Sequence, residues 1–158
     1  MDTIIVYSSK YGCTTDCENI LKSKLSNNVT IVDIKDKNSK IELSKFDTVI
    51  IGSSIYVGSV SKEIRTFCND NIESLNQKKV GIFLCCAFSE QTDKYLSSNF
   101  PSSLLKSAKS ISVFGGEARL EKMKFFDKLI MKSVTKNDYN GLKISQDNID
   151  NFLRNFND

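Results

Sequence analysis

"IVYSSKYGCT", residues 5–14, carries the chain from an apolar run through a knot of hydroxyls and one glycine into a segment with helical spacing. The strand begins slightly earlier, as "TIIVYS" at 3–8, rich in β-branched and aromatic residues and stopping at a polar turn. Beyond the turn, Cys17, Ile20, Leu21 and Leu25 share one helix face, and Thr15 with Glu18 fits a capping box. "NN" at 27–28 ends that helix.

The same alternation continues. "VTIVDI" at 29–34 and "DTVIIGSS" at 47–54 read as strands, and a helix opening near Ser61 buries Ile64, Phe67, Cys68, Ile72 and Leu75. "KVGIFLCCA" at 79–87 is a fourth strand, followed by a short helix around 93–98 that Pro101 closes. "SISVFGG" at 110–116 is a fifth strand, and helical patterns follow over 120–136 and 145–156. Strands alternating with helices predict an α/β chain with a parallel sheet covered on both faces. Right-handed crossovers and five strands suit a doubly wound sheet of order 2-1-3-4-5. Without repeats, linkers or low-complexity stretches, residues 1–158 are expected to form one domain.

Composition narrows the chemistry. An apolar share of 40% and a charged share of 26% are those of a soluble globule, and the opening "MDTIIVYSS" lacks the basic start of a signal peptide, so a cytoplasmic location is expected. The chain has no histidine, which removes Ser-His and Cys-His nucleophile pairs and histidine metal ligands. Its five cysteines form no C-x-x-C pair and read as reduced thiols, so no metal set is expected. Cys85 and Cys86, adjacent on a strand, point to opposite faces. Cys13 falls at a helix N-terminus, where a thiol's pKa tends to fall. An enzyme so equipped draws its chemistry from a cofactor.

In a 2-1-3-4-5 sheet the ligand crevice opens beyond the carboxyl ends of the first and third strands. Residues 8–14 and 52–58, rich in glycine and hydroxyls, flank it. Ser8, Ser9 and Thr14 offer hydroxyls, Gly12 allows close backbone approach, and the helix start offers unpaired N–H groups. The bare pattern leaves two readings open: a phosphate site, or a turn in which Thr14 or Thr15 merely caps the helix. G-x-x-x-x-G-K-[ST] and an early G-x-G-x-x-G are both missing, which argues against a nucleoside triphosphatase and a dinucleotide fold and leaves a mononucleotide.

With two aliphatics, an aromatic, Ser9, Gly12 and Thr14 at set spacing, "IVYSSKYGCT" resembles the flavodoxin signature, and "IIGSSIYVG" and "FGG" are similar to that family's third-strand loop and fifth strand. The resemblance implies FMN, its phosphate held by Ser9, Lys10, Gly12, Cys13 and Thr14 with Ser8 and Tyr11 alongside. It implies a flavin ring between Ser53, Ser54, Ile55, Tyr56, Val57 and Gly58 on one side and Cys86, Ala87 and Phe88 on the other. Tyr56 is the candidate for stacking on the ring. No tryptophan is present to cover the flavin as one often does in flavodoxins, and no catalytic acid or base is assigned.

Two features depart from an acidic electron carrier: the net charge is +3, and an extra segment about 117–140 contains "LEKMKFFDKLIMKSVTK". Lys124, Lys128, Lys132 and Lys136 recur every four residues beside a second stripe of Met123, Phe126, Ile130 and Val134. This basic amphipathic helix over 120–136 reads either as a surface helix with its apolar side on the domain or as a surface for anionic lipid or an acidic partner. "YSSKYGCT", "IGSSIYVG" with Lys62 to Phe67, and "GGEARLEKMKFFDKLIMK" together resemble the small quinone-linked protoporphyrinogen IX dehydrogenase branch of the flavodoxin family. That likeness implies an FMN oxidoreductase taking electrons from a small reduced substrate and passing them to a quinone, with peripheral membrane contact and no nucleic acid partner. Lys10, Arg119 and Lys122 are candidates to attract porphyrin propionates, although Arg119 and Lys122 also read as solvated charges. The alternatives are a low-potential electron-transfer flavodoxin serving a protein partner, and a flavin-free interaction module.

Overall fold

The computed structural model describes residues 2–157. Five strands, β1 (Thr3–Ser8), β2 (Val29–Asp33), β3 (Thr48–Ser54), β4 (Lys79–Cys85) and β5 (Ser110–Val113), form one parallel sheet in the order β2-β1-β3-β4-β5. This is the doubly wound arrangement that the sequence predicts. Among the described residues seven α-helices cover it: α1 (Cys13–Lys24), α2 (Lys62–Asp70), α3 (Ile72–Leu75), α4 (Thr92–Asn99), α5 (Ser102–Ser107), α6 (Phe125–Thr135) and α7 (Gln146–Asn157).

All six residues of β1 are buried, because the sheet is covered on both faces and a central strand has no solvent side. Alternation along the strands divides the core in two. Ile4, Val6, Val49, Ile51, Val80, Ile82 and Leu84 pack with Ile64, Phe67 and Cys68 of α2 and Leu104 of α5. Ile5, Ile50 and Phe83 face Cys17 and Leu21 of α1 and Ile149, Phe152, Leu153 and Phe156 of α7. Aromatic rings run through this second face: Phe83 stacks on Phe114 at 4.6 Å, Phe114 meets Phe152 edge-on at 5.3 Å, and Phe152 stacks on Phe156 at 5.6 Å. The rings need room that only glycine leaves on β4, since a Cβ at Gly81 would lie 2.6 Å from Phe152 Cζ.

Several boundaries differ from the sequence reading. β2 ends at Asp33, β4 at Cys85 and β5 at Val113. Phe114 and Gly115 still bond to β4 and the residue after it, with Phe114 N donating to Leu84 O at 2.9 Å and Cys86 N donating to Gly115 O at 3.0 Å, before left-handed Gly115 (φ 84°) turns the chain away. The 120–136 pattern splits into a 3-10 turn at Leu120–Lys122 and α6. The Thr15–Glu18 capping box does not form, because left-handed Gly12 (φ 94°) is the N-cap and α1 starts at Cys13, placing Thr15 inside the first turn. Glu18 instead turns inward, 3% exposed, with Oε2 lacking a partner among the described residues, and burial pushes its carboxyl up to about 6.

Two measurements test this packing. Gly81→Ala is expected to destabilise the fold by about 1–3 kcal/mol in urea denaturation, because the buried rings of Phe152 and Phe156 must shift. Glu18 has a folded-state pKa of about 6 above its ordinary 4.5, so its ionisation opposes folding above that window and the opposition vanishes as pH falls through it. Glu18→Gln is therefore expected to be more stable than the parent by about 1–2 kcal/mol at pH 8, with the difference gone near pH 4.

Candidate functional site

Parallel pairing of Tyr7 with Gly52 and Ser8 with Ser53 brings the carboxyl ends of β1 and β3 side by side, and the chain leaves them toward opposite faces of the sheet. A crevice opens between the two loops. Ser9, Lys10, Tyr11, Cys13 and Thr14 line it from the first loop, Ser54, Ile55 and Tyr56 from the second, and Cys85, Cys86 and Ala87 from the end of β4. An adjoining hollow of about 210 Å³ is lined by Ile55, Tyr56, Val57, Gly58, Cys86, Ala87 and Phe88.

The first loop has the features of an anion cradle. Ser9 Oγ accepts from Gly12 N at 2.9 Å, and Lys35 Nζ donates to Ser9 O at 2.9 Å, which holds the turn closed. The first backbone N–H groups of α1 have no intrahelical acceptor, and the helix dipole adds positive potential there. Ser8 Oγ and Thr14 Oγ1 are buried without a hydrogen-bond partner among the described residues, a costly state unless a ligand supplies one. Lys10 lies on this loop, and a Cβ at Gly12 would meet Arg119 Nη1 at 2.8 Å and Lys122 Nζ at 3.6 Å, so three cations surround the cradle.

The second loop is a tight hairpin in which Tyr56 N donates to Ser59 O at 2.9 Å and Ser59 N donates back to Tyr56 O at 3.0 Å. Val57 and Gly58 at its tip have φ of 48° and 74°. A β-branched residue in the left-handed region is strained, and such strain concentrates at binding sites. Val57 is also 73% exposed, so neither burial nor packing accounts for its presence there.

Ser53 is an exception among the expected ring neighbours. Its Oγ donates to Ser54 O at 3.0 Å and accepts from Ser61 N at 3.4 Å, so the side chain is committed to the start of α2 rather than to the crevice. Ser61 in turn caps α2 by accepting from Ile64 N at 3.2 Å.

Asp127 on α6 was not legible as a site residue, yet it organises the crevice mouth. It accepts hydrogen bonds from the Tyr11 and Tyr56 hydroxyls and pairs with Lys10 Nζ at 3.0 Å, while that same Nζ lies 2.9 Å from the Tyr56 ring centroid. These donors, Tyr11 first and Tyr56 next, hold its carboxyl down to about 2 despite its burial. The tyrosine hydroxyls are pushed up in return, Tyr56 chiefly by the bond to Asp127 and Tyr11 chiefly by burial. Met131 lines both the crevice and the hollow, and Ile130 and Val134 line the hollow, so α6 lies across the opening. Arg119 is not a solvated charge: it pairs with Asp16 and with Glu117, the latter at 2.6 Å, and pins the segment before α6 to α1.

The apolar stripe lies only partly on the domain, with Met123 buried and Ile130 and Val134 bordering the hollow. Phe125 and Phe126 are 70% and 75% exposed, and Leu129, Ile130 and Val134 are about half exposed. Asp127 and Met131 take the inward side instead. Among the described residues, no helix is long and apolar enough to cross a membrane.

A family model described as a flavodoxin domain matches residues 4–141. Among solved structures, oxidised flavodoxin 1 from Bacillus cereus superposes with a TM-score of 0.55 at 13% identity, over 99% of this chain and 97% of that one. Fusobacterium nucleatum flavodoxin bound to flavin mononucleotide superposes with a TM-score of 0.50 at 16% identity, over 75% of this chain and 72% of that one. No curated protein sequence matches.

Asp127 has a folded-state pKa below its ordinary 3.8, so the stability it contributes is present above that value and lost as pH falls toward 2. Asp127→Asn is expected to lower the opening free energy of α6 by about 2 kcal/mol at pH 7 in amide hydrogen exchange, leaving the sheet amides unchanged. The difference from the parent shrinks between pH 4 and pH 2.

Proposed function

The chain belongs to the flavodoxin domain family, and we propose that it is an FMN-dependent oxidoreductase that works at a membrane surface, a quinone-linked protoporphyrinogen IX dehydrogenase. The residues fit the cofactor. The orphaned Ser8 and Thr14 hydroxyls, the Ser9–Gly12 turn and the start of α1 suit the phosphate group, and the Tyr56 hairpin faces the 86–88 loop across the space suited to the ring. FMN supplies two-electron and one-electron transfer between a reduced substrate and an acceptor.

The protein's own part is binding and orientation. Lys10 and Lys122 draw anionic groups to the cradle, Arg119 is committed to Asp16 and Glu117, and Met131 borders the crevice with Ile130 beside the adjoining hollow. Asp127 fixes the Tyr11 and Tyr56 hydroxyls and holds Lys10 against the Tyr56 ring, so the face of Tyr56 becomes available to a ring ligand when Lys10 moves toward the phosphate. The observation that carries the reading is the outward apolar side of α6, flanked by Lys124, Lys128, Lys132 and Lys136 and lying across the same crevice. A helix of this kind suits the interface of an anionic bilayer, where a lipid-soluble quinone is found. A cytoplasmic protein held peripherally at the inner membrane face matches this arrangement.

The test is anaerobic turnover of protoporphyrinogen by FMN-loaded protein, followed by porphyrin fluorescence, with a quinone supplied either in anionic vesicles or in soluble form. Fluorescence above the enzyme-free control is expected. Phe126→Ser should cut turnover several-fold with vesicle quinone and leave turnover with soluble quinone unchanged, because the exposed ring contributes only to insertion. A flat trace with flavin bound would reduce the function to an electron-transfer flavodoxin serving a protein partner, and a protein that stays colourless with FMN would be a flavin-free interaction module.

A further inference from the structure

Beneath the cradle, on its core side, Cys13, Cys17 and Cys85 bring their sulfurs together, all within 4.8 Å of one another. Cys13 and Cys17 stand one helical turn apart on α1 and so share a face. Cys85 ends β4 and reaches them because the sheet carries that strand under α1; its Sγ lies 3.5 Å from that of Cys17. All three thiols are free and buried. Two of them, Cys13 and Cys85, also line the crevice, which gives an entry path from outside.

The spacing and surroundings select a class of ion. With metal–sulfur bonds of about 2.3 Å, three sulfurs on one centre lie about 3.4–4.0 Å apart, from pyramidal to planar geometry. The cluster is already close to that span. No further histidine, cysteine or carboxylate joins the group among the described residues, so the protein offers three ligands and not a tetrahedral four. Apolar Ile5, Ile50, Phe83 and Phe114 belong to the same core cluster. Three thiolates carry three negative charges. Zinc would leave the buried complex with one net charge and a monovalent ion with two, whereas a trivalent centre leaves it neutral and avoids the cost of a buried charge.

We propose that Cys13, Cys17 and Cys85 form a trithiolate binding site for a trivalent thiophilic metalloid, of which arsenic(III) is the probe. Binding is a ligand exchange without change of oxidation state. Three As–O bonds of arsenous acid break, three As–S bonds form, and the three thiol protons leave with the hydroxides as three waters. The site borders the flavin crevice, sharing Cys13 and Cys85 with its lining, but it lies on the core side of the loop and uses thiols rather than the hydroxyls of the cradle.

Reduced full-length protein, titrated anaerobically with arsenite and examined by native mass spectrometry, is expected to gain one arsenic with loss of three protons. X-ray absorption at the arsenic edge should then show three sulfur neighbours and no oxygen. Cys13→Ser, Cys17→Ser and Cys85→Ser should each weaken binding by about tenfold or more, while Cys68→Ser, on the opposite face of the sheet, binds as the parent does. Oxygen remaining on arsenic at saturation, unchanged affinity in all three single variants, or displacement of arsenite by equimolar zinc would overturn the assignment. The absorption measurement needs only the parent protein, so it decides the matter even where a core serine prevents folding.

Discussion

Pairing of β1 with β3 is the contact on which the rest depends. The two strands run parallel in the middle of the sheet, and the chain winds outward from them in opposite senses, to β2 on one side and β4 on the other. Their carboxyl ends therefore finish together with no crossover connection between them. Backbone N–H groups, hydroxyls and small side chains can gather in that gap because the hydrogen-bond ladder below has already oriented both loops. A one-residue slip of β1 against β3 would swap Ile5 and Val6 between the two core faces and move Ser8 off its partner Ser53, so packing on both faces fixes the register of the site.

The segment before and within α6 is tied down by charge more than by apolar packing. Arg119 grips α1 through Asp16, and Asp127 gathers Tyr11, Tyr56 and Lys10 from the two loops that flank the crevice. Charge-assisted bonds of this kind are strong and directional, yet they open as a unit when one member moves. The arrangement lets α6 hold its inner edge against the crevice while its apolar outer side stays free.

Much of this was legible in the sequence, and the rest fails for a physical reason. The buried strands announced themselves through β-branched runs such as "TIIVYS" and "DTVIIGSS", and the cradle through its hydroxyls and Gly12, because each signal is local. The Thr15–Glu18 cap misled because the same residue types serve a cap or a buried face, and only the conformation of Gly12 decides where α1 begins. Asp127 was invisible: its partners Tyr11 and Tyr56 lie 116 and 71 positions away. The orientation of α6 stayed open for the same reason, since periodicity reveals a stripe but not which side faces the protein. The thiol cluster joins an i, i+4 pair on a helix to the end of a distant strand, a geometry that no spacing rule along the chain detects.

The phenylalanine ladder has a consequence for synthesis. Phe83 and Phe114 leave the ribosome well before Phe152 and Phe156, which supply the opposing surface on that side of the sheet. During translation the other face, built from α2, α4 and α5, can close first. The Phe83–Phe114 surface, covered only in part by α1, stays partly open until α7 emerges and docks on it, so that side of the sheet is the later one to be sealed.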